Sequence, residues 1–342
     1  MSNLKPDTLR KQLSAGNLAR CYLFHGQERY LQASYVQSLR KAVLGAEDDP
    51  FNLRQLEGKD LDLRTLRDAL DAYPSFAERA LVEVRDFDLF QSGEEYQKQL
   101  SALLDDLPDY CCLLFLYDTL EYKPDKRKKK LYQAIDSAVT VVEFPVQGQS
   151  ELVRWIQKHF QARQKRISSE DAAYLIFLCG SLMDALVNEI GKIAVYAQGD
   201  TVTRADIDQV AVPVVEAETF RLADALSARD YEKAAELMYK LFQLNTEPIV
   251  INALIGSQLR RLYAASLVKA SGGGPAQLGE VLNATSDYMP RQYLRICGSF
   301  SEQWYREMIR RSAETDYRMK NAGTEPEDLL RTLFLAMAAP CV

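Results

Sequence analysis

The sequence predicts an α/β domain built on a parallel sheet, followed by a region that is helical almost throughout. Two observations predict the first part. Strand-like and helix-like apolar patterns alternate along residues 1–146. The first of them, Cys21-Tyr22-Leu23-Phe24-His25-Gly26-Gln27-Glu28-Arg29-Tyr30-Leu31, passes from a short apolar run through a glycine into an amphipathic pattern. A third observation predicts the second part: beyond Pro145-Val146-Gln147-Gly148-Gln149, apolar residues recur at helical spacing.

Taken in order, strands are expected at Cys21–Phe24, Phe51–Leu56, Ala80–Val84, Cys111–Tyr117 and Val139–Phe144. Between them, helices are expected at Tyr30–Val43, Leu61–Ala72, Glu94–Leu107 and Lys126–Ile135, the alternation of a parallel sheet covered by helices. Leu152, Ile156 and Phe160 then mark a helix, and Ser169 stands where an N-cap would precede Glu170 and Asp171. Leu182, Leu186, Ile190, Ile193 and Ala197 form one stripe, with Glu189 and Lys192 spaced to pair on the surface. Thr203 caps a short helix from Arg204 to Val210. Later faces are Phe220, Ala223 and Leu226; Ala234, Leu237, Met238 and Leu241; and Ile251, Ile255, Leu259 and Leu262. Ser271-Gly272-Gly273-Gly274-Pro275 is a turn between helices, and Gln303–Lys320, after a capping Ser301, and Glu327–Ala338 close the chain.

With 342 residues there is room for two or three domains with cores of their own. No apolar run approaches the ~20 residues of a membrane span, and the first residues lack the apolar centre of a signal peptide, so no membrane role is expected. The net charge of −6 provides no global field toward nucleic acid, so any DNA contact has to be local or shared with partners. Lys123-Pro124-Asp125-Lys126-Arg127-Lys128-Lys129-Lys130 is a local exception. It reads either as a solvated loop and helix start or as a patch facing DNA or an acidic partner. Cysteines 21, 111, 112, 179, 297 and 341 form no C-x-x-C pair and read as buried free thiols of a reducing cytoplasm. Only His25 and His159 are available to a metal, so neither a metal nor a cofactor is expected.

A strand turning through glycine into a helix is where a P-loop protein holds nucleotide phosphate. That chemistry requires glycine, lysine and a hydroxyl in the last three positions of the motif; counted from Gly26, they hold Leu31, Gln32 and Ala33. After Val84 the sequence Arg85-Asp86-Phe87-Asp88 has no adjacent acidic pair for magnesium. An ATPase is therefore disfavoured, and no Ser/His/Asp or Cys/His grouping supports hydrolysis. A frame without its ligand groups points to work by contact.

Several segments together resemble the delta subunit of the bacterial DNA polymerase III clamp loader. They are Tyr22-Leu23-Phe24-x-Gly26-x-Glu28-x-Tyr30-Leu31, the stretch Gly180-Ser181-Leu182-Met183-x-x-Leu186-x-Asn188-Glu189-Ile190-x-Lys192 with Tyr196, and Phe220-x-Leu222-x-Asp224-Ala225. Glu247-Pro248-Ile249, Gln258-Leu259-Arg260-x-Leu262 and Asp316-Tyr317-x-x-Lys320 continue the match in the same order. The resemblance implies a degenerate AAA+-type base over 1–146, a small helical lid over 147–212 and a helical collar over 213–342. It implies a non-enzymatic subunit of a cytoplasmic DNA polymerase holoenzyme that binds the sliding clamp (beta) and helps open it. ATP would be hydrolysed by AAA+ partner subunits, which join it and delta-prime in a hetero-pentamer on primer-template DNA. It also implies that the clamp contact is Tyr73-Pro74-Ser75-Phe76-Ala77-Glu78-Arg79, with Phe76 as the inserted aromatic and Ser75 where some members carry leucine. Tyr288 and Arg291 match a collar segment that approaches DNA; on the residues alone they read equally as a helix-start aromatic and an exposed arginine. On the residues alone, too, Phe76 is either an aromatic anchor with a charged rim or ordinary core at the sheet edge. A helical adaptor unrelated to replication is the remaining alternative, separated by whether the chain binds a clamp and AAA+ ATPases.

Overall fold

Cys21–His25 forms β1, and its residues alternate between two cores as the pleat requires. Cys21 and Leu23 pack with Leu66, Leu100 and Leu131; Tyr22 and Phe24 pack with Leu9, Tyr35, Leu39 and Phe144. A strand buried on both faces belongs inside a parallel sheet covered by helices on both sides. The structure, a computed structural model, describes residues 4–90, 93–243, 246–284, 287–321 and 323–339. It divides into two compact units, Met1–Gln147 with Leu182–Asp184, and Gly148–Ser181 with Ala185–Val342. Cys341 lies outside the described residues.

In the first unit the chain runs α1 (Pro6–Ser14), β1, α2 (Arg29–Leu44), β2 (Leu53–Glu57), α3 (Leu63–Asp71) and β3 (Ala80–Arg85). It continues through α4 (Glu94–Asp105), β4 (Cys111–Leu116), α5 (Lys129–Ala138) and β5 (Thr140–Glu143). The strands lie in the order β2-β3-β4-β1-β5, and every neighbouring pair is parallel. Each expected strand is present within a residue or two of its expected ends. Two departures have local causes. Helix α1 escapes the pattern because only Leu9 and Leu13 are apolar and buried in an otherwise polar nine-residue helix that begins at Pro6. The helix expected from Lys126 starts at Lys129, because Asp125 takes the Arg127 amide on Oδ1 at 3.0 Å and the Lys128 amide on its carbonyl at 3.2 Å, closing a turn first.

In the second unit come α6 (Gln149–Gln161), β6 (Arg166–Ile167), α7 (Ser169–Cys179), α8 (Met183–Tyr196), β7 (Thr201–Val202) and α9 (Arg204–Val210). The parallel pair β6–β7 was not expected; two residues per strand are too few to show a period. The cap of α7 is Ser168, not Ser169, its Oγ accepting the Asp171 amide at 2.9 Å. Leu182 sits before α8 and is exposed, so the α8 stripe begins at Leu186. Thr203 does cap α9, in a reciprocal box with Asp206, and Lys192 does pair with Glu189 at 2.7 Å.

The rest of this unit is α10 (Val215–Ser227), α11 (Tyr231–Gln243), α12 (Pro248–Ala270), α13 (Pro275–Leu282), α14 (Tyr288–Ile296), α15 (Glu302–Asn321) and α16 (Pro326–Ala338). Helix α12 is its axis, packed by α10, α14, α15 and α16 through Ile251, Ile255, Leu259 and Leu262. Gly256 lets α15 come close: a Cβ there would lie 2.8 Å from Ser312 Oγ. Asn252 Nδ2 donates to the Ser312 carbonyl at 3.0 Å alongside, so the tight crossing leaves no amide unpaired. Among the described residues no single helix is long and apolar enough to cross a membrane.

One buried ion pair ties α2 to the sheet. Glu83 on β3 is 0% exposed, and both its oxygens accept from Arg40, from Nε and Nη2 at 2.6 Å each, while Gln55 Nε2 donates at 3.1 Å. The paired carboxylate holds the Arg40 guanidinium above its usual range. Removing the cation would strand the carboxylate, so Arg40→Ala is expected to destabilise the protein by about 3–5 kcal/mol, and Glu83→Gln by less. Urea unfolding of the two variants checks the order; equal and small losses would refute it.

Candidate docking surface and a closed nucleotide site

The carboxyl ends of β1, β3 and β4 form the edge where an open parallel sheet binds its ligand. Here that edge is filled by the chain itself. Gly26, in a conformation that favours glycine (φ 133°), lies so close to β5 that a Cβ would meet the Phe144 carbonyl oxygen at 2.2 Å. The Phe144 amide donates to the His25 carbonyl at 2.7 Å and the Glu28 amide to the Phe144 carbonyl at 3.0 Å. An amide that a phosphate cradle would aim at its ligand is thus spent on the neighbouring strand.

The positions that would hold lysine and hydroxyl point elsewhere. Gln32 is buried, donating from Nε2 to the Phe24 carbonyl at 3.4 Å and accepting from Arg29 Nη1 at 3.1 Å. Arg29 also donates to the carbonyls of Tyr117 and Asp118 and pairs with the Asp118 carboxylate, whose other oxygen takes Arg85 Nη1 at 2.5 Å. Asp86 spends its carboxylate on the loop after β4, accepting the amides of Asp118, Thr119 and Leu120 and the Thr119 hydroxyl at 2.7 Å. Partial burial raises the Asp86 carboxyl, but these hydrogen bonds outweigh it and leave it below its usual range.

Neither histidine has metal-binding company. The His25 ring packs against Tyr122 at 4.9 Å, the His159 ring lies tilted against Trp155 at 4.0 Å, and no group of three or more His, Cys, Asp or Glu that could hold a metal occurs among the described residues. The described cysteines are buried and free; burial pushes the Cys111 thiol up to about 11 and the Cys179 thiol up to about 12.

At the opposite, amino-terminal edge of the sheet the picture reverses. The connection from α3 to β3 carries Tyr73, Pro74, Ser75 and Phe76, and Phe76 is fully exposed (108%). The core alternative for this residue is therefore excluded. Its φ of 56° lies in the left-handed region, where a bulky side chain costs on the order of 1–3 kcal/mol. Tyr73 is also exposed but stacks on Tyr110 at 4.4 Å, which covers one of its faces. Ser75 has an exposed side chain, and its backbone is gripped on both sides by Asn52: its amide donates to Oδ1 at 2.6 Å, and its carbonyl accepts from Nδ2 at 2.9 Å. Sequence reasoning missed Asn52, and it placed Phe51 inside β2, whereas Phe51 precedes the strand and is exposed. The readable signal was Asp49-Pro50, a turn initiator, with Asp49 Oδ1 accepting the Phe51 amide at 3.0 Å.

Tyr288 and Arg291 open α14 in the second unit. The Tyr288 ring lies 6.1 Å from Phe177, and its hydroxyl accepts from Arg204 Nη2 at 3.1 Å. Arg291 is exposed, 3.8 Å from Asp287. Tyr288 borders a cavity of about 860 Å³ in whose lining Arg221 pairs with Asp208 at 2.6 Å and Arg295 with Asp224 at 3.0 Å. Of the basic run, Lys123 pairs with Glu121 at 2.7 Å, Arg127 with Asp125 at 2.9 Å, and Lys128 donates to the Phe90 carbonyl.

A five-stranded parallel sheet whose ligand edge is occupied by the chain's own hydrogen bonds, joined to a mainly helical unit, defines a class: a P-loop-like α/β domain that lacks the phosphate ligands, followed by a helical region. The family model described as DNA polymerase III, delta subunit, matches residues 22–145, and that described as the delta subunit, C-terminal domain, matches 216–337. The chain is 27% identical over 337 residues to DNA polymerase III subunit delta of Bacillus subtilis, covering 95% of this chain and 94% of that protein. It is 21% identical over 299 residues to the probable delta subunit of Aquifex aeolicus, covering 85% and 83%. In fold it is similar to the solved clamp loader delta protein of Bacillus subtilis, with a TM-score of 0.52, 23% identity and coverage of 97% and 99%. The chain belongs to the DNA polymerase III delta subunit family.

The closed edge makes an acid-side prediction. A carboxyl depressed in the folded state adds stability above its unfolded value and loses it as pH falls through the folded one, so the Asp86 contribution disappears below about pH 4. Asp86→Asn, which removes the charge and replaces one acceptor oxygen by an NH2 donor, is expected to cost about 1–3 kcal/mol at neutral pH and to flatten the acid limb. Thermal melts from pH 3 to 7 test this; an unchanged limb would show that Asp86 does not hold the loop.

Proposed function

We propose that this chain binds the ring-shaped sliding clamp (beta) through residues 73–79, with Phe76 as the anchor, and helps to open the ring for loading on primed DNA. One observation carries the reading. Phe76 is exposed in full and held in a left-handed conformation, although its ring contributes nothing to the chain's own core. Strain at an exposed aromatic is a mark of a binding turn, where a partner's pocket repays it. Glu78 and Arg79 supply the polar rim, Pro74 stiffens the approach, Tyr73 flanks it, and Ser75 makes the plug smaller than a leucine would.

In the same reading residues 1–146 are the base, 147–212 a lid and 213–342 a collar. The collar joins AAA+ ATPase subunits and delta-prime in a hetero-pentamer, and those partners bind and hydrolyse the ATP. The assembly serves a cytoplasmic DNA-directed DNA polymerase, a nucleotidyltransferase, to which this subunit brings no catalytic group. Arg291 is the candidate phosphate contact on primer-template DNA, and Tyr288 reaches DNA only where its ring leaves Phe177 and Arg204.

Clamp affinity of the purified chain tests the anchor. Phe76→Ala is expected to lose ~30- to 1000-fold, or about 2–4 kcal/mol. Phe76→Gly should bind as poorly while leaving stability unchanged or raising it by up to about 1 kcal/mol, since glycine relieves the left-handed strain. A large drop in melting temperature for either variant, or wild-type affinity in both, would remove Phe76 from the contact. For DNA, Arg291→Ala in the assembled loader is expected to weaken primer-template binding and lower the salt slope by about 1. Unchanged affinity in Arg291→Ala and Tyr288→Ala loaders would exclude this segment from the DNA path.

A further inference from the structure

The hydrogen bonds that hold Ser75, the residue before Phe76, do not come from its own turn. They come from Asn52, at the mouth of the neighbouring strand. Asn52 is 2% exposed, and its backbone is fixed by the sheet, its carbonyl accepting the Leu81 amide at 2.9 Å. Its side chain reads both polar atoms of the Ser75 backbone, and its remaining amide hydrogen goes to Asp49 Oδ2 at 2.8 Å. Every donor of the amide is used, and only one orientation of the group satisfies Ser75, which needs an acceptor for its N–H and a donor for its C=O.

The consequence lies one residue further on. The Ser75 carbonyl belongs to the peptide plane that leads into Phe76, so gripping it together with the Ser75 amide fixes the ψ of Ser75 and the plane from which the Phe76 backbone turns. The ring is exposed and cannot hold itself; without the grip the left-handed conformation would relax to an ordinary one with the ring aimed elsewhere.

We propose that Asn52, backed by Asp49, is a positioning residue of the docking turn: it holds Phe76 in its binding conformation before a partner arrives. The proposal rests on the reading of Phe76 as the clamp contact. When only a fraction of the chains presents a competent turn, apparent affinity falls by that fraction. Asn52 therefore contributes to clamp affinity without touching the clamp.

The test compares wild type, Asn52→Ala, Asp49→Ala and Phe76→Ala for cognate-clamp affinity, melting temperature, and amide exchange at Ser75 in the free chain. Asn52→Ala is expected to bind about tenfold more weakly, the loss falling on the association rate, with Ser75 exchanging at least about tenfold faster. Asp49→Ala, which loosens the same amide from a more accessible position, should show a smaller loss of the same kind and serves if Asn52→Ala folds poorly. Affinity within twofold of wild type in a folded variant, or unchanged Ser75 exchange, would overturn the proposal. A wild-type chain that binds no clamp would instead remove the clamp reading, and Ser75 exchange would then show by itself whether Asn52 holds the turn.

Discussion

A parallel sheet gathers backbone donors and cations at the carboxyl ends of its strands, and something negative has to meet them. In a nucleotide-binding relative of this fold that role falls to phosphate. Here Asp118 sits between Arg29 and Arg85, and Asp86 takes the amides and hydroxyl of the loop that follows β4. Around these residues the charges and amides find their partners within the chain. The turn after β1, closed onto Phe144, completes the seal.

With one edge of the sheet closed, the chemistry moves to the other. In a parallel sheet the connections leading into strands all emerge at the amino-terminal edge, so residues before β2, β3 and β4 become neighbours however far apart they lie in sequence. That is how Asn52 meets Ser75 and Tyr110 meets Tyr73. The turn that presents Phe76 is thus built by topology rather than by a contiguous motif. The five-stranded sheet with both faces covered gives it a rigid mount.

How much of this was legible in the sequence follows from the same distinction. The short apolar runs that became β1 and β4, helical stripes such as Ile251, Ile255, Leu259 and Leu262, and the Thr203 cap are local patterns, and each reappears in the structure. The loss of phosphate chemistry was legible because it needs named residues at fixed spacing, and Leu31, Gln32 and Ala33 are the wrong ones. What replaces that chemistry was not. Asp118 lies 89 residues from Arg29, and nothing in either segment announces the pairing. Asn52 was missed for the same reason: an asparagine before a strand reads as turn punctuation until the fold brings Ser75 to it. The Ser168 cap is a smaller instance, two adjacent serines being equivalent until the backbone selects one.

The direction of Phe76 shows where the energetic argument leads. Burying an exposed phenylalanine in a partner's pocket is worth roughly 1.5–3 kcal/mol. Holding it left-handed beforehand consumes a comparable amount of the chain's own stability. A flexible turn would avoid that cost in the free protein but meet it again, with added ordering entropy, on binding. The hydrogen bonds from a buried Asn52 shift the cost into folding, where a large core absorbs it, and leave the gain of burial available to the interface. On the proposed reading that conformation is set by an asparagine and a serine backbone rather than by a nucleotide, so any dependence of clamp docking on ATP bound by partner subunits would have to arise from what covers or uncovers the turn, not from the turn itself.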